Sequence, residues 1–310
     1  MKKISVITGC YNEEGNLEIF YEKVKKILLK YENLDHEIII IDNASEDKSQ
    51  SILKKLASHD KKLKIIINNR NFGHIASPLR AFNSATGNAI VAIASDLEDP
   101  PELIDEFIKN WLDGHKIVLA VRTDTNEPGI MKYFRGAYYY LMQKTSSIKQ
   151  LKNFTGFGLY DEVFIKEFKK LDDPYPYFRG LIEDIGIPYK TLEFSKKYRD
   201  KGKSKGTFLI YYDLAMLGIT NYSSIFLRSL TIFGFFLSCL SFSIAIYYII
   251  KKFLFWYDFQ HGFAPILILT SFFFGVLFIY LGIIAEQILY LKKFITKQPR
   301  VTEKERINFD

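Results

Sequence analysis

The chain has 310 residues, of which 48% are hydrophobic, 16% aromatic and 25% charged. That charge content excludes wholesale disorder, and the apolar mass exceeds what a water-soluble core of this size absorbs, so an enzyme-sized domain with an apolar appendage is expected. Cys10 and Cys239 are far apart and supply neither a disulfide framework nor a zinc site, and the net charge of +7 suits nucleic acid and an anionic membrane equally.

Along the first part of the chain, short β-branched runs recur at Ile4–Ile7, Glu37–Ile41, Leu63–Ile67, Ala89–Ile93 and Lys116–Val121. Between them, Leu17, Phe20, Val24, Ile27 and Leu28, and then Ile52, Leu53 and Leu56, follow the 3 and 4 spacing of helices packed on one side. This βα alternation, with strands apolar almost throughout, predicts an α/β fold built on an open, Rossmann-like, mostly parallel sheet covered on both faces.

Ligands of such sheets bind beyond the carboxyl ends of the strands. The five strands are followed by Cys10-Tyr11-Asn12-Glu13-Glu14, by Asp42-Asn43-Ala44-Ser45, by Asn68 to His74, by Ser95 to Pro101, and by Arg122. Carboxylates, amides, arginines and a histidine therefore gather on one rim. Helix capping accounts equally well for Asp42, Asn43 or Ser45 taken singly; their co-location favours a ligand site. No GxGxxG or Walker A pattern is present, although Asp42 at a strand end suits a ribose or base edge.

Asp96, Glu98 and Asp99 before Pro100-Pro101 form the densest candidate site, because carboxylates on a tight turn offer hard oxygen ligands to Mg2+ or Mn2+ that bridges a diphosphate. Asp99 is expected to cap the following helix, which leaves Asp96 and Glu98 for the metal. Downstream, the aromatic stretch within 133–142 is expected to be core or subunit contact. Lys196, Lys197, Arg199, Lys201, Lys203 and Lys205 crowd one Gly-containing segment with a single acid, Asp200; Arg199, Ser204 and Lys205 suit a lid over phosphates, with a solvated or lipid-attracting patch as the alternative.

Residues 207–227 suggest a helix lying along a membrane interface or packed against a neighbouring subunit of a homo-oligomer. Two uncharged stretches then follow, each long enough to cross a bilayer. The organisation expected is a cytosolic domain over 1–205, juxtamembrane helices over 206–228, two spans at about 229–250 and 264–287 within 229–291, and a basic tail over 292–310. Lys292, Lys293, Lys297, Arg300, Lys304 and Arg306 after the second span outnumber the basic residues of the linking turn, which places both termini in the cytoplasm. Met1-Lys2-Lys3 precedes too few apolar residues for a cleavable signal. Lipid, not nucleic acid, is then the partner that the charge serves.

The motifs CYNEEGN (10–16), IIIIDNAS (38–45), NRNFGHIAS (69–77), SDLEDPPEL (95–103), FGLYD (157–161), FRGL (178–181) and YRDKGKSK (198–205), followed by a two-span hairpin, resemble family 2 glycosyltransferases of the polyprenyl-phosphate class, among them bactoprenol glucosyltransferases and dolichol-phosphate mannose synthases. The resemblance implies a GT-A fold, a nucleotide diphosphate sugar donor, UDP-glucose on family frequency, and inverting transfer to polyprenyl phosphate at the face of the cytoplasmic membrane. It puts Tyr11, Asn12, Glu13 and Asp42 around the base and ribose, with Asn43, Asn71 and His74 on the same rim. It puts Asp96 with Glu98 on Mg2+ or Mn2+, and Arg199, Ser204 and Lys205 near phosphates, so that Asp96, Arg199 and Lys205 carry the catalysis. The sequence departs from the family pattern at Ala94, where the first acid of an Asp-x-Asp usually stands, and at Gly156, where an acid or polar residue is common. Two rival readings are a transferase acting on a glycan or lipid-linked hydroxyl, which needs a general base, and a non-catalytic sugar-nucleotide-binding membrane protein.

Overall fold

The computed structural model describes residues 1–123, 151, 153–173, 175–195, 208–222, 263–296 and 301–309, with scattered positions between 133 and 146 and between 232 and 254. In chain order the elements are β1 (Lys2–Cys10), α1 (Leu17–Leu28), β2 (Leu34–Asp42), α2 (Ser49–His59), β3 (Leu63–Asn68), α3 (Gly73–Ser84), β4 (Ala89–Ala92), α4 (Leu103–Leu112), β5 (Ile117–Arg122), β6 (Phe154–Asp161), α5 (Glu162–Leu171), α6 (Phe178–Ile185), β7 (Tyr189–Phe194), α7 (Phe208–Tyr222), α8 (Phe263–Thr296) and β8 (Glu303–Ile307). The described strands form one sheet in the order β7-β5-β6-β4-β1-β2-β3-β8. Strands β4, β1, β2 and β3 are mutually parallel, as are β5 and β7, whereas β6 and β8 run antiparallel to their neighbours.

The side-chain period of two explains why these strands are apolar throughout. Ile38 and Ile40 of β2 enter one core while Ile39 and Ile41 enter the other. The first core is closed by α1, α2 and α4 through Phe20, Val24, Leu53, Phe107 and Trp111, and the second by α3, α5 and α6 through Phe82, Phe164, Phe168 and Leu181. In the second, Phe82, Tyr160, Phe164, Phe168 and Phe178 pack with neighbouring ring centroids between 4.8 and 6.3 Å. Each such fully buried side chain contributes about 1.5–3 kcal/mol, so the aromatic excess in the sequence goes partly into this layer.

The expected basic tail contains a strand. β8 pairs with β3 from Ile65 opposite Ile307 to Asn68 opposite Glu303, and Asn308 donates to the carbonyls of Ala57, Asp60 and Leu63. A sequence alternating Glu, Lys, Glu, Arg reads as a solvated tail; here those charges pair with Lys54 and Arg80 on the flanking helices, while Ile307 and Phe309 pack on the two cores. Placed there, β8 also covers the sheet edge that β3 would otherwise expose.

The expected second span lies within α8, which continues past 287 to Thr296. By length and composition Phe272–Thr296 is able to cross a membrane, and none of its most apolar window is buried, unlike the core helix of a soluble domain. Phe274, Phe278, Ile279 and Ile295 are all exposed. Most of the first expected span, 229–250, lies outside the described residues. Helix α7 is docked on the domain: a Cβ at Gly180 of α6 would come 2.4 Å from the Tyr222 ring, and one at Gly218 of α7 would come 2.4 Å from the Tyr138 hydroxyl. Glycine at both positions is what lets α7 lie against the domain.

Candidate active site

The loops after β1, β2, β3 and β4 meet at the carboxyl edge of the sheet. The first two are laced together: the Asn12 amide donates to Ser45 Oγ at 2.9 Å, the Glu13 amide to Ser49 Oγ at 3.0 Å, and the Glu46 amide to Asn12 Oδ1 at 2.8 Å. Asn12, Ala44 and Leu97 hold φ of 51°, 61° and 61°. Left-handed backbone costs about 1 kcal/mol or more at residues such as Ala and Leu, and its recurrence on three adjacent loops marks this edge as shaped for a purpose other than stability.

Tyr11, Asn12 and Glu13 are half-buried on this rim, with Glu13 accepting the Asn16 side-chain amide. Asp42 is fully buried; its Oδ2 accepts the Ser45 amide at 3.0 Å and Gln50 Nε2 at 2.9 Å. The Cys10 thiol lies beside it, 3.6 Å from Oδ1, and burial first and then Asp42 push the thiol pKa well up, which makes Cys10 an inert core residue. Gln50 gives no signal in the sequence because it stands in the first turn of α2, beyond the loop that follows β2.

Asn43 is buried and fully engaged within the rim. Its Nδ2 donates to Asn71 Oδ1 at 2.8 Å and to the Gly73 carbonyl at 3.2 Å, while its Oδ1 accepts Asn68 Nδ2 at 3.2 Å and the Phe72 amide at 2.9 Å. All four hydrogen-bonding positions of the amide are used, so Asn43 positions the 71–74 segment. Asn71 is exposed at the tip of that loop. His74 stands in the first turn of α3; loss of solvation lowers its pKa, and Asp213 on α7 opposes the shift.

On the acidic turn, Asp96 Oδ1 accepts the Glu98 amide at 3.1 Å, and both side chains are half-buried. Ala94, in place of an acid, is exposed just before them. The expected capping role of Asp99 is corrected: it is buried and accepts Arg122 Nη2 at 2.8 Å, with Glu98 3.8 Å from the same nitrogen. Burial raises the Asp99 pKa and Arg122 opposes that rise. A buried acid at the end of β4 meets the cation at the end of β5, a pairing that only the strand order reveals.

Among the described residues no three His, Cys, Asp or Glu side chains are grouped to hold a metal. Asp96 and Glu98 nevertheless fit a hard divalent ion of the Mg2+ type, which takes one or two carboxylates and completes its shell with phosphate oxygens and water. Arg199, Ser204 and Lys205 lie outside the described residues.

Residues 5–171 match the family described as glycosyl transferase family 2. The chain is 30% identical over 285 residues to the uncharacterized glycosyltransferase YkcC of Bacillus subtilis, covering 92% of this chain and 88% of that one. It is 30% identical over 307 residues to the bactoprenol glucosyl transferase of Shigella phage SfX, covering 98% and 99%. Among solved structures, mannosyl-3-phosphoglycerate synthase from Rubrobacter xylanophilus shares the fold, with a TM-score of 0.50 at 12% identity over 70% of this chain and 72% of that one.

Proposed function

The chain belongs to glycosyl transferase family 2, and on that premise we propose that it moves glucose from UDP-glucose to a polyprenyl phosphate at the membrane surface with inversion. The likeness over nearly full length to a bactoprenol glucosyl transferase supports the acceptor class. The observation that carries the reading is the route of the chain. Apolar α8 ends at Thr296, and β8 begins at Glu303 beside Asn68, at the carboxyl end of β3. The lipid-seeking helix therefore re-enters the domain at the edge that carries the site. The return of the chain to the domain after α8 also supports a hairpin with both ends cytosolic, and the exposed apolar residues of α8 support integral membrane anchoring.

The chemistry matches the rim. A phosphate monoester has its second pKa near 6, so the acceptor is largely dianionic at neutral pH and attacks without a strong general base. Gly156 at φ 103°, where the family pattern has an acid or polar residue, is consistent with that requirement. What the site must supply is charge neutralisation for the departing nucleoside diphosphate. A divalent ion held by Asp96 and Glu98 would supply it as a Lewis acid. Tyr11, Asn12, Glu13 and the loop carrying Asn71 and His74 line the nucleotide side, with Asp42 reached once the Gln50 amide swings away. Arg199, Ser204 and Lys205 are assigned to the phosphates.

The test is direct. Membranes containing the protein receive labelled UDP-glucose, polyprenyl phosphate and Mn2+, and label is followed into the lipid fraction. Transfer that requires the lipid phosphate is the expected result; transfer to a hydroxyl acceptor, or donor binding without turnover, would overturn the proposal.

A further inference from the structure

We propose that β8 is a positioning strap that fixes the loop between β3 and α3, so that its release loosens residues 69–74 and weakens donor binding while the core stays folded. The proposal rests on the reading above, in which that loop faces the nucleotide.

The loop is held from both sides. From inside, Asn43 fixes Asn71, Phe72 and Gly73, as described. From outside, β8 grips the backbone where the loop begins: the Asn69 amide donates to the Thr302 carbonyl at 3.0 Å, just past a register shift between Ile67 and Asn68. It also grips the helix where the loop ends. Glu303 pairs with Arg80 of α3, and Arg306 donates to Ser84 Oγ of the same helix at 3.2 Å. Lys54 of α2 pairs with Glu305 at 2.6 Å, and the Asn308 amide closes three carbonyls around the α2–β3 turn. Strand, loop and both flanking helices are therefore joined by a segment that arrives directly from α8. A loop held in its binding geometry avoids the ordering cost of association, so loosening it acts on donor affinity before it acts on chemistry.

The experiment uses the full chain in lipid nanodiscs and compares wild type with the Arg306→Ala/Asn308→Ala variant. Hydrogen–deuterium exchange is followed over residues 65–74, and donor KM and kcat are measured with UDP-glucose and undecaprenyl phosphate. Faster exchange at 69–74, with donor KM raised about threefold or more and kcat held within about twofold, is expected. Unchanged exchange at 69–74 overturns the proposal, and so does faster exchange with an unchanged donor KM. Should the double variant fail to fold, Asn308→Gly keeps the left-handed φ of 62° while deleting the amide and is judged by the same two readouts. If wild type transfers no glucose, the donor assignment falls, and exchange over 69–74 together with UDP binding in Mn2+ still decides whether β8 holds the loop.

Discussion

Arg122 at the end of β5 donates to buried Asp99 at 2.8 Å and stands 3.8 Å from Glu98, so one half-buried guanidinium holds the acidic turn in place. Removing one partner of a buried pair leaves the other charge unsolvated, and Arg122→Met is expected to destabilise the fold by about 3 kcal/mol. Arg122→Met combined with Asp99→Leu should regain most of that loss, since apolar replacement of both partners removes the desolvation penalty. Thermal unfolding of the three variants checks this; a double variant as unstable as the single one would show that the turn itself, and not the stranded charge, carries the cost.

On the two remaining carboxylates of the turn the expectation is chemical. Asp96→Ala and Glu98→Ala should each lower lipid-linked glucose formation by about 100-fold or more while leaving the melting temperature nearly unchanged. Titration with Mn2+ at fixed UDP should lose its saturable response in both variants. Retained metal dependence in Glu98→Ala would assign the metal to Asp96 with phosphate oxygens alone.

Five strands and the helices between them were legible because their periodicities are local. Ile38 to Ile41 announces a strand buried on both faces, and Leu17 to Leu28 a helix with one. The strand order was not legible, and with it went everything that depends on neighbours across the sheet. Asp99 looked like a cap because nothing in the sequence brings it to Arg122. The four partners of Asn43 were not legible because they come from the end of β3 and the residues beyond it. The EKERI of β8 gives no apolar signal, since an edge strand between two charged helices is held by ion pairs instead of by a continuous apolar run.

Near the amino ends of the central strands, Glu37 of β2 is buried, paired with Lys64 at 2.8 Å and Lys3 at 3.0 Å, and bonded to Ser5 Oγ at 2.6 Å. Burial alone would raise its pKa, but Lys64, Ser5, the Thr86 amide and Lys3 overcome it and hold the carboxyl down from 4.5 to about 2. A carboxylate depressed in the folded state stabilises the fold fully above its unfolded pKa and loses that contribution as pH falls through the folded value. Denaturant unfolding should therefore show on the order of 3 kcal/mol fading between about pH 5 and about pH 2. Glu37→Gln should be less stable at neutral pH, with the gap to wild type closing on acidification. A constant gap across that range would show that packing, not ionisation, is what Glu37 supplies.

The departure from the family pattern at Gly156 has a backbone cause. With φ at 103° and no atom within 4 Å of the point where a Cβ would stand, any side chain there meets strain and no clash. Gly156→Ala should cost about 1 kcal/mol, and Gly156→Asp a similar amount, read as a drop in melting temperature. Because the proposed acceptor is already ionised, the introduced acid should not raise the rate of lipid glucosylation; a rate increase would point to a hydroxyl acceptor that needs a base.

Gly180 of the FRGL segment offers a sharper test of how α7 serves the reaction. In a helix interior, Gly→Ala ordinarily stabilises by about 1 kcal/mol. Here the added carbon would come 2.4 Å from the Tyr222 ring, so the ring or one of the two helices must move. Gly180→Val should therefore displace α7, the helix that carries Asp213 toward His74 on the nucleotide side, and raise the donor KM by about tenfold. Shortening the opposing side chain in Gly180→Val/Tyr222→Ala makes room for the valine and should recover much of the loss, giving a coupling between the two positions of about 1 kcal/mol or more in a double-mutant cycle. Additive effects in that cycle would mean that Gly180 is needed for α6 alone and that the approach of the two helices does not position the donor side of the rim.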